Sequence, residues 1–191
     1  MADVVLYFTI SLDGFVAGPR ISQQDPMGIH GEDLHSWMFS DKQAGDEPAI
    51  SRQHGNAGAI VLGRRTFDLG LEHWGDVPYP ADCFVVTHRA RDSLEQKSGT
   101  FSFVTDGVAA AVAGAKNVAG QREVKVMGAE VARQVLALGL VDRIELQLSP
   151  LLLHGGARLF DGLEKADLKL TLRGPVVATS VAHLTFDVAR A

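Results

Sequence analysis

Cysteine is nearly missing from this chain. Cys83 is the single one among 191 residues, which excludes an intrachain disulfide and any cysteine-based zinc cluster. It opens an apolar run and reads as a small buried residue. Long hydrophobic runs are missing too: nothing approaches the ~20 apolar residues of a transmembrane helix, so no membrane partner is expected. The start carries no basic segment or small-residue cleavage site, and Asp3 precedes a run of only seven apolar or Thr residues. A cytoplasmic protein is expected. Basic excess is lacking as well, with 18 Lys and Arg against 23 Asp and Glu for a formal charge of -5. That balance disfavours nonspecific nucleic-acid binding, so no nucleic-acid partner is expected.

Several motifs are absent. The histidines (His30, His35, His54, His73, His88, His154 and His183) are scattered, without the His-x-x-x-His spacing or carboxylate partners of a metal site, and no metal is implied. Ser11 lacks the GxSxG elbow of a serine hydrolase. There is no GxGxxG dinucleotide fingerprint, no internal repeat and no low-complexity segment. What remains is an ordinary globular composition, 46% hydrophobic and 21% charged, sized for one domain over residues 1–191.

The chain is organised around Ala59-Ile-Val-Leu-Gly-Arg-Arg-Thr-Phe67. Ala59–Leu62 has the pattern of a strand buried on both faces; it breaks at Gly63 and leads into an amphiphilic stretch, Phe67–Trp74. A strand passing through glycine into a helix start is where α/β proteins hold phosphates. Arg64 and Arg65 in a first helical turn oppose the macrodipole, a conflict that a bound anion removes. The plainer reading is an exposed arginine pair on a connecting turn.

In order, Val4–Ile10 reads as a central strand closed by the turn Ser11-Leu-Asp-Gly14. Arg20–Gly31 is a polar loop, and Glu32–Phe39 reads as a helix with acidic residues in its first turn. Ser40–Asp46 is a second loop, with Asp46 and Pro48 placed to start a helix running to about His54. A proline-rich connection, Gly75–Asp82, leads to strand Cys83–Thr87, then Thr100–Val104. A helix follows with Thr105 or Asp106 as cap and Val108, Ala111, Val112, Ala115 and Val118 on one face. Strand Glu123–Met127 precedes a helix opened by Gly128, with Val131, Val135 and Leu138 on one side. Asp142–Leu148, Leu168–Leu172 and Val176–Val188 alternate as half-buried strands. The first two-thirds reads as βα units on a mainly parallel sheet, completed at the end by antiparallel strands.

Three strand ends share a property. Gly63-Arg-Arg-Thr66, Thr87-His-Arg89 and Met127-Gly-Ala129 each follow a short buried strand, and in a parallel sheet such ends lie side by side. Basic residues gather at two of them in an acidic protein, the pattern of a site for a polyphosphorylated ligand. Arginines stand where an acidic residue would read a ribose hydroxyl, favouring a 2′-phosphate and hence NADP over NAD.

The segments SLDGFVAG, IVLGRRTFD, FVVTHR, VKVMGAEVARQVLALGLVDRIEL and SPLLLHGGARLF, in that order, resemble the dihydrofolate reductase-like family, especially its riboflavin-pathway reductase branch. The resemblance implies an α/β fold with a central mixed, mostly parallel sheet of about eight strands flanked by helices. It also implies NADPH in a cleft across the sheet. By motif match, Gly63, Arg64, Arg65 and Thr66 hold the cofactor phosphates, and Thr87, His88 and Arg89 border the adenosine and 2′-phosphate. Gly128, Ala129 and Glu130 start a helix that meets the pyrophosphate. Ile10, Ala17 and Gly18 border the nicotinamide through backbone groups. Where the family usually has two adjacent glycines, this chain has Met127-Gly128, which predicts a narrower approach.

Hydride transfer leaves a substrate atom in need of a proton, which makes Asp33 and Asp13 the candidate catalytic acids. Against this stand first-turn charge for Glu32 and Asp33, and an Asx-type turn for Asp13. Trp37 is either a pocket wall or core. The resemblance implies reduction of a small heterocyclic substrate, most like 5-amino-6-(5-phosphoribosylamino)uracil of riboflavin biosynthesis, by a homodimer. A stand-alone reductase is expected, since one cysteine cannot supply the zinc ligands of the deaminase that often accompanies it. The alternatives are dihydrofolate reductase activity, a catalytically silent nucleotide-binding or sequestering protein, and a purely structural domain.

Overall fold

Apolar runs bounded by glycine or charge become strands here because both of their faces find cover. The computed structural model describes residues 1–77 and 79–190, without the side chains of His54 and Arg190. Pro78, in the expected proline-rich connection, and Ala191 lie outside the described residues. The first elements are β1 (Val4–Ser11), β2 (Phe15–Ala17), α1 (Glu47–Gly55), β3 (Ala57–Gly63) and α2 (Arg64–Trp74). Next come β4 (Asp82–Val86), β5 (Leu94–Gln96), β6 (Gly99–Val104), α3 (Val108–Ala119), β7 (Glu123–Met127) and α4 (Ala129–Ala137). The chain closes with β8 (Arg143–Ser149), β9 (Ala157–Arg158), β10 (Leu168–Leu172), β11 (Val177–Ala178) and β12 (Ala182–Arg190).

The main sheet has ten strands in the order β10-β12-β8-β1-β7-β3-β4-β6-β5, with β11 added beside β12. From β8 across to β6 every neighbouring pair is parallel. Antiparallel pairs close both edges, β12 and β10 on one side and β5 on the other. The mixed, mostly parallel sheet is the expected one, extended by short strands that carry too few residues to show a period. β2 and β9 pair separately as a small ribbon.

Layering follows strand alternation. Val4 and Leu6 of β1 and Val124 and Val126 of β7 pack with Ala111, Val112, Val131 and Val135 of α3 and α4 on one face. On the other, Ile60 and Leu62 meet Phe67 of α2. Phe67 is fully buried and stands edge-on to Phe101 and Phe103, with centroids at 5.0 and 5.1 Å. It anchors the turn that presents Arg64–Thr66, and truncating it to Ala would cost about 3–5 kcal/mol.

Several local expectations are corrected. Glu32–Met38 winds as a 3-10 helix, which buries Leu34 and Trp37. Trp37 is core: it is 1% exposed and donates its indole N–H to Thr9 Oγ1 at 3.0 Å. Asp46 precedes α1 but makes no side-chain cap. Its fully buried carboxylate instead bonds His183 Nε2 at 2.7 Å, the Thr179 hydroxyl at 2.5 Å and the Gln43 amide at 2.7 Å. Burial opposes its ionisation, but these donors outweigh burial and hold its carboxyl below the usual range. α3 is preceded by Gly107 rather than capped by Thr105 or Asp106. Val118 and Leu138 are about half exposed, and Ala119 and Leu136 take their places in the core. The final strand breaks between Ala178 and Ala182.

Candidate active site

The C-terminal ends of β7, β3, β4 and β6 stand at one level: Leu62 pairs with Met127, Gly63 with Val86, and Val86 with Val104. Above that edge α2, α3 and α4 begin, after Gly63, Gly107 and Gly128, and none receives a side-chain cap. Their orphan N–H groups and positive dipole ends therefore gather above one cleft. No acidic residue lies in the first turn of α2 or α3. α4 carries Glu130, but Arg133 at 2.5 Å and Gln134 at 3.2 Å bind its carboxylate and hold its pKa below the usual range.

The cleft encloses about 1110 Å³ and is lined by Gly63–Thr66, Thr87–Arg89 and Met127–Glu130, with Ala17 on the far wall and Gly107 at α3. Basic groups cluster at this end. Arg64 pairs with Asp68 at 2.7 Å, and the Arg64 and Arg91 guanidiniums lie 5.9 and 5.0 Å from the centroid of Phe103. The side chains of Thr66, His88 and Arg89 donate no hydrogen bond among the described residues, leaving them open to a ligand. Thr87 is buried, and its hydroxyl accepts from the Arg89 amide at 3.1 Å, fixing that turn. Gly128 sits at φ +85°, where a Cβ would stand 2.5 Å from Thr66 Oγ1. Met127 turns toward the core cluster of Phe67 and Leu62 while it borders the cleft. These residues fit a dinucleotide phosphate chain: uncapped amides, free basic side chains and a glycine where the walls come close.

The sequence pattern of the RibD C-terminal domain matches residues 2–183. The chain belongs to the RibD C-terminal domain family. Membership places it among reductase domains of the riboflavin-pathway type. The RibD C-terminal fold recurs in a protein of Shewanella sp. PV-4 described as a riboflavin biosynthesis protein, at 24% identity and TM-score 0.73 over all of both chains. A pyrimidine reductase-like protein of Corynebacterium diphtheriae aligns at 15% identity and TM-score 0.65, over 100% of this chain and 93% of that one. Dihydrofolate reductase of Enterococcus faecalis, solved with NADP(H), aligns at 12% and 0.59, covering 97% of this chain and 96% of its own. At these identities the likeness is one of fold, and the fold is dihydrofolate reductase-like. No curated protein matches the sequence.

Not every anticipated residue of this RibD-type cleft borders it. Ile10 is buried in the core on the α3–α4 side of the sheet. Gly18 is engaged by the 18–31 loop: its N–H donates to Met27 O at 2.8 Å, and a Cβ on it would lie 2.0 Å from Ile29 O. Asp13 lies outside the lining. Its carboxylate accepts from Ser11 Oγ at 2.6 Å and from the amides of Leu153 and His154 at 3.1 and 2.8 Å. The Ser11 bond leads in lowering its pKa to about 2, so Asp13 is a clamped anion at neutral pH and poorly suited to give up a proton. Asp33 is exposed, pairs with His30 at 3.2 Å and borders a separate small hollow with Asp25 and Glu32.

The opposite end of the cleft holds residues that motif reasoning passed over: Tyr7, Thr9, Glu32, His35 and Gln53. Tyr7 and Thr9 alternate with Leu6, Phe8 and Ile10 along β1, so the polar face was readable from the period alone. His35 and Gln53 gave no local signal.

Proposed function

We propose that this protein is an NADPH-dependent reductase of a small heterocyclic substrate, most like 5-amino-6-(5-phosphoribosylamino)uracil. The observation that carries the reading is the convergence of three uncapped helix starts with Arg64, Arg65, His88 and Arg89 at one end of a single cleft. Arg64 and Arg65, with the α2 and α4 amides, would hold the phosphates, and Arg89 the 2′-phosphate that separates NADPH from NADH. When bound, NADPH supplies the hydride. The chain's own part is to fix the cofactor by its anionic end and to seat the substrate over β1, between the 18–31 loop and the C-terminal end of α1. Asp13 and Asp33 lie outside the lining and Glu32, which borders it, is exposed to solvent, so we assign the substrate's proton to water entering the open cleft. We further propose a homodimer through edge strand β10, whose Leu170 and Leu172 are 46% and 50% exposed beside the partly buried Phe186 and Val188 of β12.

Parallel titrations with NADPH and NADH test the cofactor. A ligand at a hundredfold excess over Kd should stabilise the fold by about 2.7 kcal/mol. NADPH is expected to raise Tm and NADH not, with the response weakened by Arg64→Ala or Arg89→Ala. Equal silence toward both would end the reductase reading and leave a structural domain. NADPH binding with no turnover across heterocycles would favour a sequestering protein. Sedimentation of wild type and Leu170→Asp tests the dimer, which the substitution should dissociate.

A further inference from the structure

Helix α1 walls the end of the cleft away from the arginines, where Gln53 borders it together with Tyr7 of β1. The apolar seat of this helix is small. Among its described side chains Ala49 alone is buried, and the partly buried Ile50 joins it against Trp37, Met38 and Val181. Its nine residues are too few to hold a helix unaided, since isolated helices below ~12–15 residues are marginal in water. The rest of the seat is polar and lies at the two ends. At the start, the buried Asp46 carboxylate reaches Thr179 and His183, far along the chain.

At the other end Lys125, in the middle of β7 and 6% exposed, donates to the carbonyls of Arg52, at 2.8 Å, and of Gln53. Those carbonyls belong to the last turn, where the helix has no further amides to offer them. The Arg52 side chain pairs with the buried Glu145 of β8 at 3.0 Å, and Arg143 holds the same carboxylate at 3.1 Å. Arg143 also pairs with Glu123, which accepts from the Tyr7 hydroxyl at 2.9 Å. The Lys125 ammonium lies 4.7 Å from the centroid of the Tyr7 ring. One ammonium thus ties the α1 backbone to the Tyr7 ring, and both border the cleft. Burial pulls the Lys125 pKa down to about 8, against the pull of Glu123 and Glu145. A buried cation is costly; an apolar side chain here would avoid that cost but take the donors from both carbonyls.

We propose that Lys125 is a positioning residue for the cleft. It fixes α1 as the wall of the substrate end, and without it that wall moves while the phosphate end keeps its place. The phosphate end has its own anchor, Phe67 packed edge-on to Phe101 and Phe103. The proposal rests on the reductase reading for what the wall faces, and on the hydrogen bonds of Lys125 for how the wall is held.

Hydrogen–deuterium exchange of the full chain follows residues 50–57 in wild type, Lys125→Met, Lys125→Arg and Arg52→Gln. Lys125→Met keeps an unbranched side chain and removes its donors. The last turn of α1 is expected to exchange tenfold faster or more in this variant, with residues 64–67 and the NADPH Kd unchanged. Lys125→Arg, which supplies donors again, should recover most of the protection. Arg52 is half-exposed, so Arg52→Gln spares the fold; by removing the pair with Glu145 it should loosen the same turn by a smaller factor. It decides the matter if Lys125→Met does not fold. In reduction of 5-amino-6-(5-phosphoribosylamino)uracil the loosened variants should raise KM fivefold or more with kcat within twofold, a split that a lysine serving stability alone would not produce. Wild-type exchange over residues 50–57 in Arg52→Gln and in a folded Lys125→Met overturns the proposal, as does a loosened turn with KM unchanged. A wild type that binds no NADPH, or binds it and leaves the pyrimidine unreduced, sinks the reductase reading instead, and the exchange rates then decide the seating of α1 alone.

Discussion

Gly128 faces Thr66 across the phosphate end of the cleft, so close that a Cβ on the glycine would stand 2.5 Å from the threonine hydroxyl. The pair joins the starts of α2 and α4. Gly128 also has φ +85° and ψ 130°, outside the left-handed helical region and sparsely open to any residue but glycine, which costs an L-residue about 1–3 kcal/mol. Gly128→Ala is therefore expected to lower Tm modestly and to raise the NADPH Kd at least tenfold. Adding Thr66→Ala relieves the clash but not the backbone strain, and should recover only part of the affinity. Isothermal titration of both variants checks this.

The two tryptophans should report separately. Trp74 lines the cleft, whereas Trp37 is sealed in the core and bonded to Thr9. Quenching by NADPH is expected to vanish in Trp74→Phe and to persist in Trp37→Phe. The second variant should instead lose about 1 kcal/mol of stability, from the buried hydrogen bond it gives up. Fluorescence titration and urea melts distinguish the two.

Acid should unlatch two separate clamps. The folded-state pKa of Asp13 is about 2, below its ordinary 3.8, so its contribution is complete above pH 3.8 and is lost as pH falls through 2. Asp46 is likewise depressed, and its contribution fades as pH falls below the ordinary carboxylate value. Asp13→Asn should flatten the acid limb of a Tm–pH profile without changing turnover, since Asp13 is outside the cleft lining. Asp46→Ala leaves His183 and Thr179 without their shared acceptor, and should cost on the order of 1–3 kcal/mol.

Local pattern carried far in this chain, and its limits are physical. Ala59–Leu62 and Cys83–Val86 announce themselves as strands because burial on both faces leaves no polar interruption. Gly63, which ends the first of them, marks the phosphate edge because a helix starts directly behind it. The strands β2, β9 and β11 are too short for any period, and their pairing is decided by residues far along the chain. Asp46 looks like a helix cap because its local neighbours are helical. Its actual partner, His183, is 137 residues away and leaves no mark in the local sequence. The same holds for Lys125 and Gln53, brought together across 72 residues. The Ile10 side chain packs in the core, so its expected part, a backbone contact, rests on main-chain groups that no side-chain pattern marks. Gly18 is expected as a backbone contact, and its missing side chain also lets the 18–31 loop close against it.

β1 has a further consequence, for the order in which the molecule is made. It comes first in the chain but lies mid-sheet, paired on one side with residues 124–126 and on the other with 143–149. At about 5–20 residues per second, a ribosome releases it roughly ten seconds before its first partner strand exists. Through that interval both of its hydrogen-bonding edges stay open, and an open apolar edge is a template for pairing with other chains. The nascent chain is then at its most vulnerable, well before there is a cleft to bind anything, and its survival depends on how quickly β7 and β8 arrive to cover Val4–Ser11.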